Sequence, residues 1–218
     1  GVSAGEHSGL KRLWKFNYLR PKLKAHEMEV LTRKRAKKIT WTEFRDMEIP
    51  EGDTSIYELI NGEIVKLASP NTPHQEASFK LAAEFGIYNK QKKTGRFFHA
   101  PYDVFLDENN AGIQPDLLFV SNERDFVIKP GNGIVGTPDL VVEIVSKGSV
   151  LHDRVTKKDL YERFAVKEYW IVDVRNKTIE VYRMENDRYV LFSSAEEEGK
   201  ITSSVLPGFE LEVKEIFE

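Results

Sequence analysis

From about residue 38 the chain reads as regular alternations of apolar and polar positions. Thr40-Trp41-Thr42-Glu43 has the spacing of a capping box, and it predicts a short helix running to about Met47. Pro50-Glu51-Gly52-Asp53 supplies turn chemistry. Asn61-Gly62 then separates two strand-like runs, Tyr57 to Ile60 and Glu63 to Leu67, the strongest local signal for a β-hairpin. Ser69-Pro70-Asn71-Thr72-Pro73 breaks the sheet. A helix is predicted from about His74 to Lys90, with Phe79, Leu81, Ala82 and Phe85 as its apolar stripe.

Further strands are predicted from Arg96 to His99, Asp103 to Leu106, Asp116 to Ser121, Asp139 to Ser146 and Glu168 to Val174. A helix from Asp153 to Phe164 joins the last two, which makes residues 139–174 a candidate crossover unit. Thr178 to Tyr182 and Tyr189 to Phe192 alternate in polarity, as in a half-exposed antiparallel hairpin at the C-terminal end. Strands interleaved with long helices predict the α/β class, with a mixed β-sheet flanked by helices.

At 218 residues the length suits one domain, assigned to residues 38–218, preceded by an N-terminal basic extension over residues 1–37. Met28 fits a native start, so residues 1–27 are read as an addition. Cysteine is absent, which excludes disulfides and thiolate zinc sites and leaves oxygen or imidazole to hold any metal. No run approaches the roughly 18 consecutive apolar residues of a membrane span, and a cytoplasmic location is expected. The net charge of −3 is unevenly spread. Residues 1–27 hold six Lys/Arg against two Glu, which leaves 26 basic and 33 acidic residues beyond them, a net −7. Duplex binders usually present a basic footprint, so this acidic body weighs against tight nucleic-acid binding.

Two acidic residues stand out. Leu140-Val141-Val142-Glu143-Ile144-Val145 is apolar on both faces apart from one carboxylate. Burying that charge unpaired would cost several kcal/mol at least, so Glu143 requires a metal, a proton or an ion pair with a core Lys or Arg. Asp116, after Pro115, opens the apolar run Leu117 to Val120; an Asp there is as readily a turn residue, and Pro138-Asp139 is a second Pro-Asp of equal weight. If Asp116 and Glu143 share a side of neighbouring strands, their oxygens suit a hard cation. On the following helix Asp153, Lys157 and Tyr161 fall at i, i+4 and i+8, whereas Lys158 and Glu162 form an exposed pair on another face. Lys157 is the lysine expected to point inward, although a lysine stem lying over an apolar stripe would look the same.

Taken in order, Tyr57-Glu58-Leu59-Ile60-Asn61-Gly62-Glu63, His74, Pro115-Asp116-Leu117, Pro138-Asp139-Leu140-Val141-Val142-Glu143-Ile144-Val145-Ser146, Asp153, Lys157, Tyr161 and Glu168-Tyr169-Trp170-Ile171-Val172-Asp173 resemble the Uma-type restriction endonuclease family of the PD-(D/E)XK phosphodiesterase superfamily. The resemblance runs from about Lys38 to Phe217. It implies a restriction-endonuclease-like fold, with Asp116 and Glu143 as ligands of Mg²⁺, for which Mn²⁺ could substitute. It further implies a nuclease cutting phosphodiester bonds of nucleic acid, DNA first. The superfamily's lysine, two residues after the second acid, is here Val145, which cannot orient water or stabilise charge. The family's helix lysine corresponds to Lys157, and Lys147 is a second candidate. Glu63, as an added acid, and His74, against phosphate or the acids, are further expected site residues, with Tyr161 beside them. The alternative is a catalytically inactive nuclease fold that binds nucleic acid or protein, which Val145 and the acidic body favour. A homodimer is expected, with Tyr182, Tyr189 and Phe192 of the C-terminal hairpin as its contact surface.

Overall fold

In the computed structural model, which describes residues 38–107, 111–145 and 149–218, helix α1 (Trp41–Arg45) starts with both halves of its capping box made. The Thr40 N–H donates to Glu43 Oε2 at 2.8 Å, and the Glu43 N–H donates to Thr40 Oγ1 at 3.3 Å. Strands β1 (Ile56–Ile60) and β2 (Glu63–Leu67) pair as the expected hairpin. Asn61 and Gly62 both take positive φ, 54° and 78°, the backbone that a tight two-residue hairpin turn demands. The N-terminal extension and Lys147 lie outside the described residues.

Helix α2 (Thr72–Lys92) is capped by the Asn71 side chain, which accepts the His74 N–H at 3.1 Å. After it come β3 (Gly95–His99), β4 (Val104–Asp107), β5 (Ala111–Ile113), β6 (Leu117–Ser121), β7 (Ile128–Lys129), β8 (Gly133–Val135) and β9 (Leu140–Val145). A wide helical turn (His152–Lys157) leads into α3 (Lys158–Arg163); the Lys158 N–H bonds to Asp153 O, five residues back. Strands β10 (Glu168–Asp173), β11 (Thr178–Glu185) and β12 (Arg188–Glu196) follow, then β13 (Lys200–Thr202), β14 (Glu210–Glu212) and α4 (Val213–Phe217).

The strands form two mixed six-stranded sheets, where the sequence suggested one, together with a small β13-β14 pair. Sheet one has the order β2-β1-β5-β4-β8-β7 and sheet two the order β12-β11-β10-β9-β6-β3. Within sheet two β9 and β10 run parallel, as the crossover reading requires. The alternation of side chains along β9 divides the core. Leu140, Val142 and Ile144 face α2 and the C-terminal segment, meeting Leu81, Phe85, Trp170 and Phe209. Val141 and Val145 face the other way, toward Ile60, Val104 and Ile113 of sheet one and Tyr161 of α3. Glu143 has the parity of this second set, so its carboxyl points between the two sheets.

Two expectations about side chains need correction. Phe79 does not join the buried stripe of α2: His74, Ala77, Leu81, Phe85 and Tyr88 do, and Phe79 is 77% exposed. Lys158 and Glu162 do not pair with each other. Lys158 Nζ lies 3.5 Å from the centre of the Tyr182 ring, while Glu162 binds Arg188 and the Tyr189 N–H. The hairpin aromatics are half-buried and each makes a contact within the chain. Tyr182 carries that ammonium, the Tyr189 hydroxyl donates to Val166 O at 2.8 Å, and Phe192 lies under the Arg183 guanidinium and against the first cluster. No helix among the described residues is long and apolar enough to cross a membrane.

Candidate functional site

Between the sheets, below the N-terminus of α2, a cleft of about 150 Å³ is lined by Glu58, His74, Gln114, Asp116, Glu143, Asp153 and Lys157, among others. Its residues come from four elements and from the connection between β5 and β6. Glu143 projects from the middle of β9, where flanking valines and isoleucine bury the strand on both sides. Asp116 stands just before β6; extending the antiparallel register one step past Leu117↔Val142 places it opposite Glu143. Its Oδ2 accepts the Ile144 N–H at 2.7 Å, so the carboxylate is tied to the strand that carries Glu143. His74, in the first turn of α2, holds Nε2 3.2 Å from Asp116 Oδ1.

Lys157 joins the two sheets. Its Nζ lies 2.9 Å from Glu58 Oε1 on β1 and 3.0 Å from Glu143 Oε2 on β9, with Asp153 Oδ1 at 3.8 Å. All four side chains are buried, at 0–3% exposure. The Tyr161 hydroxyl donates to Glu143 Oε1 at 2.5 Å, and the Gln114 N–H donates to Glu58 Oε1 at 3.3 Å. His152 Nε2 is 3.3 Å from Glu58 Oε2. The helix phase therefore carries Asp153, Lys157 and Tyr161 inward together.

The electrostatics follow from one lysine facing an excess of acids. Burial, reinforced by Asp153, Asp116 and Glu58 and only partly offset by Lys157, pushes the Glu143 carboxyl well above the usual range. Burial also raises Asp153. For Glu58, burial acts upward but is outweighed by the Lys157 ammonium and the His152 hydrogen bond, which hold it below its ordinary value. Burial alone would lower Lys157; Glu143, Glu58 and Asp153 more than reverse this, so the amine stays protonated. Tyr161 is kept a neutral phenol by burial and by the adjacent Glu143 charge.

This donor set fits a hard divalent cation in its chemistry. The donors are carboxylate oxygens, and the cleft holds more buried acid than its lysine neutralises. Among the described residues no three His, Asp or Glu side chains are grouped so that they could hold a metal ion between them, so protein ligands alone would not complete a coordination shell. Magnesium typically takes one or two carboxylates, with water and substrate oxygens completing its shell.

Of the remaining sequence candidates, Glu63 is exposed on β2 and lines no part of the cleft. Glu58, five residues earlier, supplies the buried acid instead. Its signal was the one that marked Glu143, an acid within an apolar run. Asp139, the second Pro-Asp, is a structural residue: it accepts the Ser121 N–H at 2.8 Å and pairs with Lys167 at 2.7 Å, away from the cleft. Val145 is buried at 1% in the second cluster, so no ammonium enters from that strand position.

Known proteins resemble the chain over most of its length, among them the following two. An uncharacterised protein of Synechocystis sp. is 23% identical over 144 residues, 66% of this chain and 80% of the relative. The crystal structure described as a putative nuclease belonging to DUF820 from Anabaena variabilis superposes with a TM-score of 0.65 at 19% identity, covering 82% of this chain and 97% of that one; this likeness establishes a shared fold. The Uma2 family, described as putative restriction endonuclease, matches residues 41–214, and the chain belongs to that family.

Proposed function

We propose that the protein is a metal-dependent endonuclease that hydrolyses phosphodiester bonds of nucleic acid, with DNA as the first substrate to test. The observation that carries this reading is the convergence of Asp116, Glu143 and Lys157 in one cleft, two acids and an ammonium held by different elements. Asp116 and Glu143 are the residues that would hold Mg²⁺, or Mn²⁺ in its place. A cation bound there would polarise the phosphodiester and acidify a water.

The chain's own groups divide the remaining work. His74, hydrogen-bonded through Nε2, and the Ile144 N–H fix the rotation of the Asp116 carboxylate. Tyr161 fixes Glu143 in the same way. Lys157 keeps its proton and therefore serves as a positive charge, not a base; its place is beside the phosphate oxygen on which negative charge accumulates. Glu58 is a positioning residue, because it shares the ammonium with Glu143 and so sets where Nζ sits.

Supercoiled plasmid, linear duplex, single-stranded DNA and RNA, each incubated with Mg²⁺, with Mn²⁺ and with EDTA, test the reading. Cleavage of at least one form should require the metal and disappear in Asp116→Ala. Full activity in Asp116→Ala, with contaminating nuclease excluded, would defeat the assignment. The competing reading is a nuclease fold that binds without cutting, favoured by the aliphatic Val145 and the acidic body. It stands if calorimetry finds no Mn²⁺ binding in the millimolar range and no nucleic acid is cut.

A further inference from the structure

The face of α2 opposite the core is apolar where a solvated helix should be polar. Phe79 is 77% exposed and Ile87 55% exposed, with exposed Ala83 and Gly86 between them. A Cβ built on Gly86 would meet nothing within 4 Å. Exposed Glu76 and Lys90 bound the stripe, and neither has an ion-pair partner among the described residues. The positions 76, 79, 83, 86 and 90 are spaced 3-4-3-4, the seam of a helix that packs against another helix. The core side of α2 uses a separate set of positions, so this seam is surplus to the fold of one chain.

We infer that this stripe pairs with the same stripe of a second copy, antiparallel, across a two-fold axis at Ala83. The sequence is self-complementary about that residue. Phe79 and Ile87 lie four residues to either side, so each phenyl ring meets the partner's Ile87. Glu76 and Lys90 lie seven residues to either side, so each carboxylate meets the partner's Lys90, and the interface carries this charge pair twice. A parallel arrangement would set Glu76 against Glu76 and Lys90 against Lys90. Small residues at the centre allow the backbones to approach closely while the large side chains interdigitate on either flank. This surface is distinct from the hairpin aromatics, and it is independent of whether the cleft cuts anything.

Sedimentation of the 218-residue chain over a dilution series from sub-millimolar to low micromolar tests the pairing. Wild type should dissociate from dimer to monomer on dilution, and Phe79→Asp should be monomeric throughout. Glu76→Lys alone and Lys90→Glu alone should each raise the dimer Kd by about tenfold or more, since each places two like-charge contacts in the interface. The double variant Glu76→Lys/Lys90→Glu should return to within about threefold of wild type, because the reversed pairs are again complementary. A wild type that stays monomeric at every concentration overturns the inference, as expected if residues 1–37 or another partner covers the stripe. A dimer indifferent to Phe79→Asp, or single reversals that the double reversal fails to rescue, also overturns it. Circular dichroism on each variant confirms that folding is retained; all three substituted positions are exposed.

Discussion

Lys157 stands between Glu58 and Glu143, 2.9 Å from one and 3.0 Å from the other, so a single ammonium neutralises acids contributed by two different sheets. Removing one partner of a buried ionic cluster typically costs about 3–5 kcal/mol, because the charges left behind are uncompensated. Lys157→Met should therefore lower stability by about that amount as well as abolish cleavage. Denaturant melts and nicking assays on the same preparation check both effects. Loss of activity at wild-type stability would mean that the acids do not depend on the ammonium, and the buried network would need another account.

Glu143→Gln should behave in the opposite sense. Burial and three acidic neighbours raise this carboxyl above its unfolded value of about 4.3, so the folded state holds the proton more tightly than the unfolded chain. The stability that results is fully present below the unfolded pKa and is lost as pH rises through the higher folded pKa. In EDTA the wild type should lose stability relative to Glu143→Gln as pH increases from about 4 toward neutrality, while the variant no longer cuts. Melting curves that shift in parallel over this range would contradict the ionic strain assigned to Glu143.

A second buried acid has a purely architectural role. Glu168 is fully buried and accepts hydrogen bonds from Trp170 Nε1 at 2.7 Å, Ser203 Oγ at 2.6 Å and the Ser204 N–H at 2.6 Å, which fastens the segment before β14 to β10. Glu168→Ala leaves several buried donors unpaired, each costing about 1–3 kcal/mol. A loss of about 3 kcal/mol or more is expected, which for a chain of this size lowers Tm by roughly 6–12 °C. Residual cleavage at low temperature should survive, because no cleft residue is touched. Inactivity of protein still folded at that temperature would show that the C-terminal segment reaches the site.

What the sequence disclosed was mostly local. The Thr40/Glu43 capping box and the Asn61-Gly62 turn are written in adjacent residues, and both form as read. The parallel β9/β10 unit was legible from its apolar runs. Strands of two or three residues such as β5, β7 and β8 were not, because pairing partners elsewhere in the chain define them and no internal periodicity does. Phe79 was misplaced because hydrophobicity was counted without helix phase; it falls between Ala77 and Leu81 on the opposite side of α2. In the cleft, helix phase did bring Lys157 and Tyr161 inward. The added acid was expected at Glu63, after the turn on β2, while Glu58 before it on β1 is the residue that meets Lys157, a contact between distant segments that spacing alone does not encode.

His74 offers the sharpest test of how Asp116 is held. Its Nε2 touches Asp116 Oδ1, Asn71 caps its backbone N–H, and its ring is buried at the first turn of α2, so the imidazole has little freedom to turn away. Groups that orient a metal ligand without binding the metal typically contribute 10–100-fold to affinity or activity. His74→Ala should weaken Mn²⁺ binding in calorimetry and slow cleavage by about that factor, with little change in circular dichroism. His74→Gln, whose amide nitrogen reaches about as far as Nε2, should recover part of both losses. Equal Mn²⁺ affinity and cleavage in wild type and His74→Ala would mean that the Ile144 N–H alone fixes the carboxylate, and His74 would then be a core residue that happens to face the cleft.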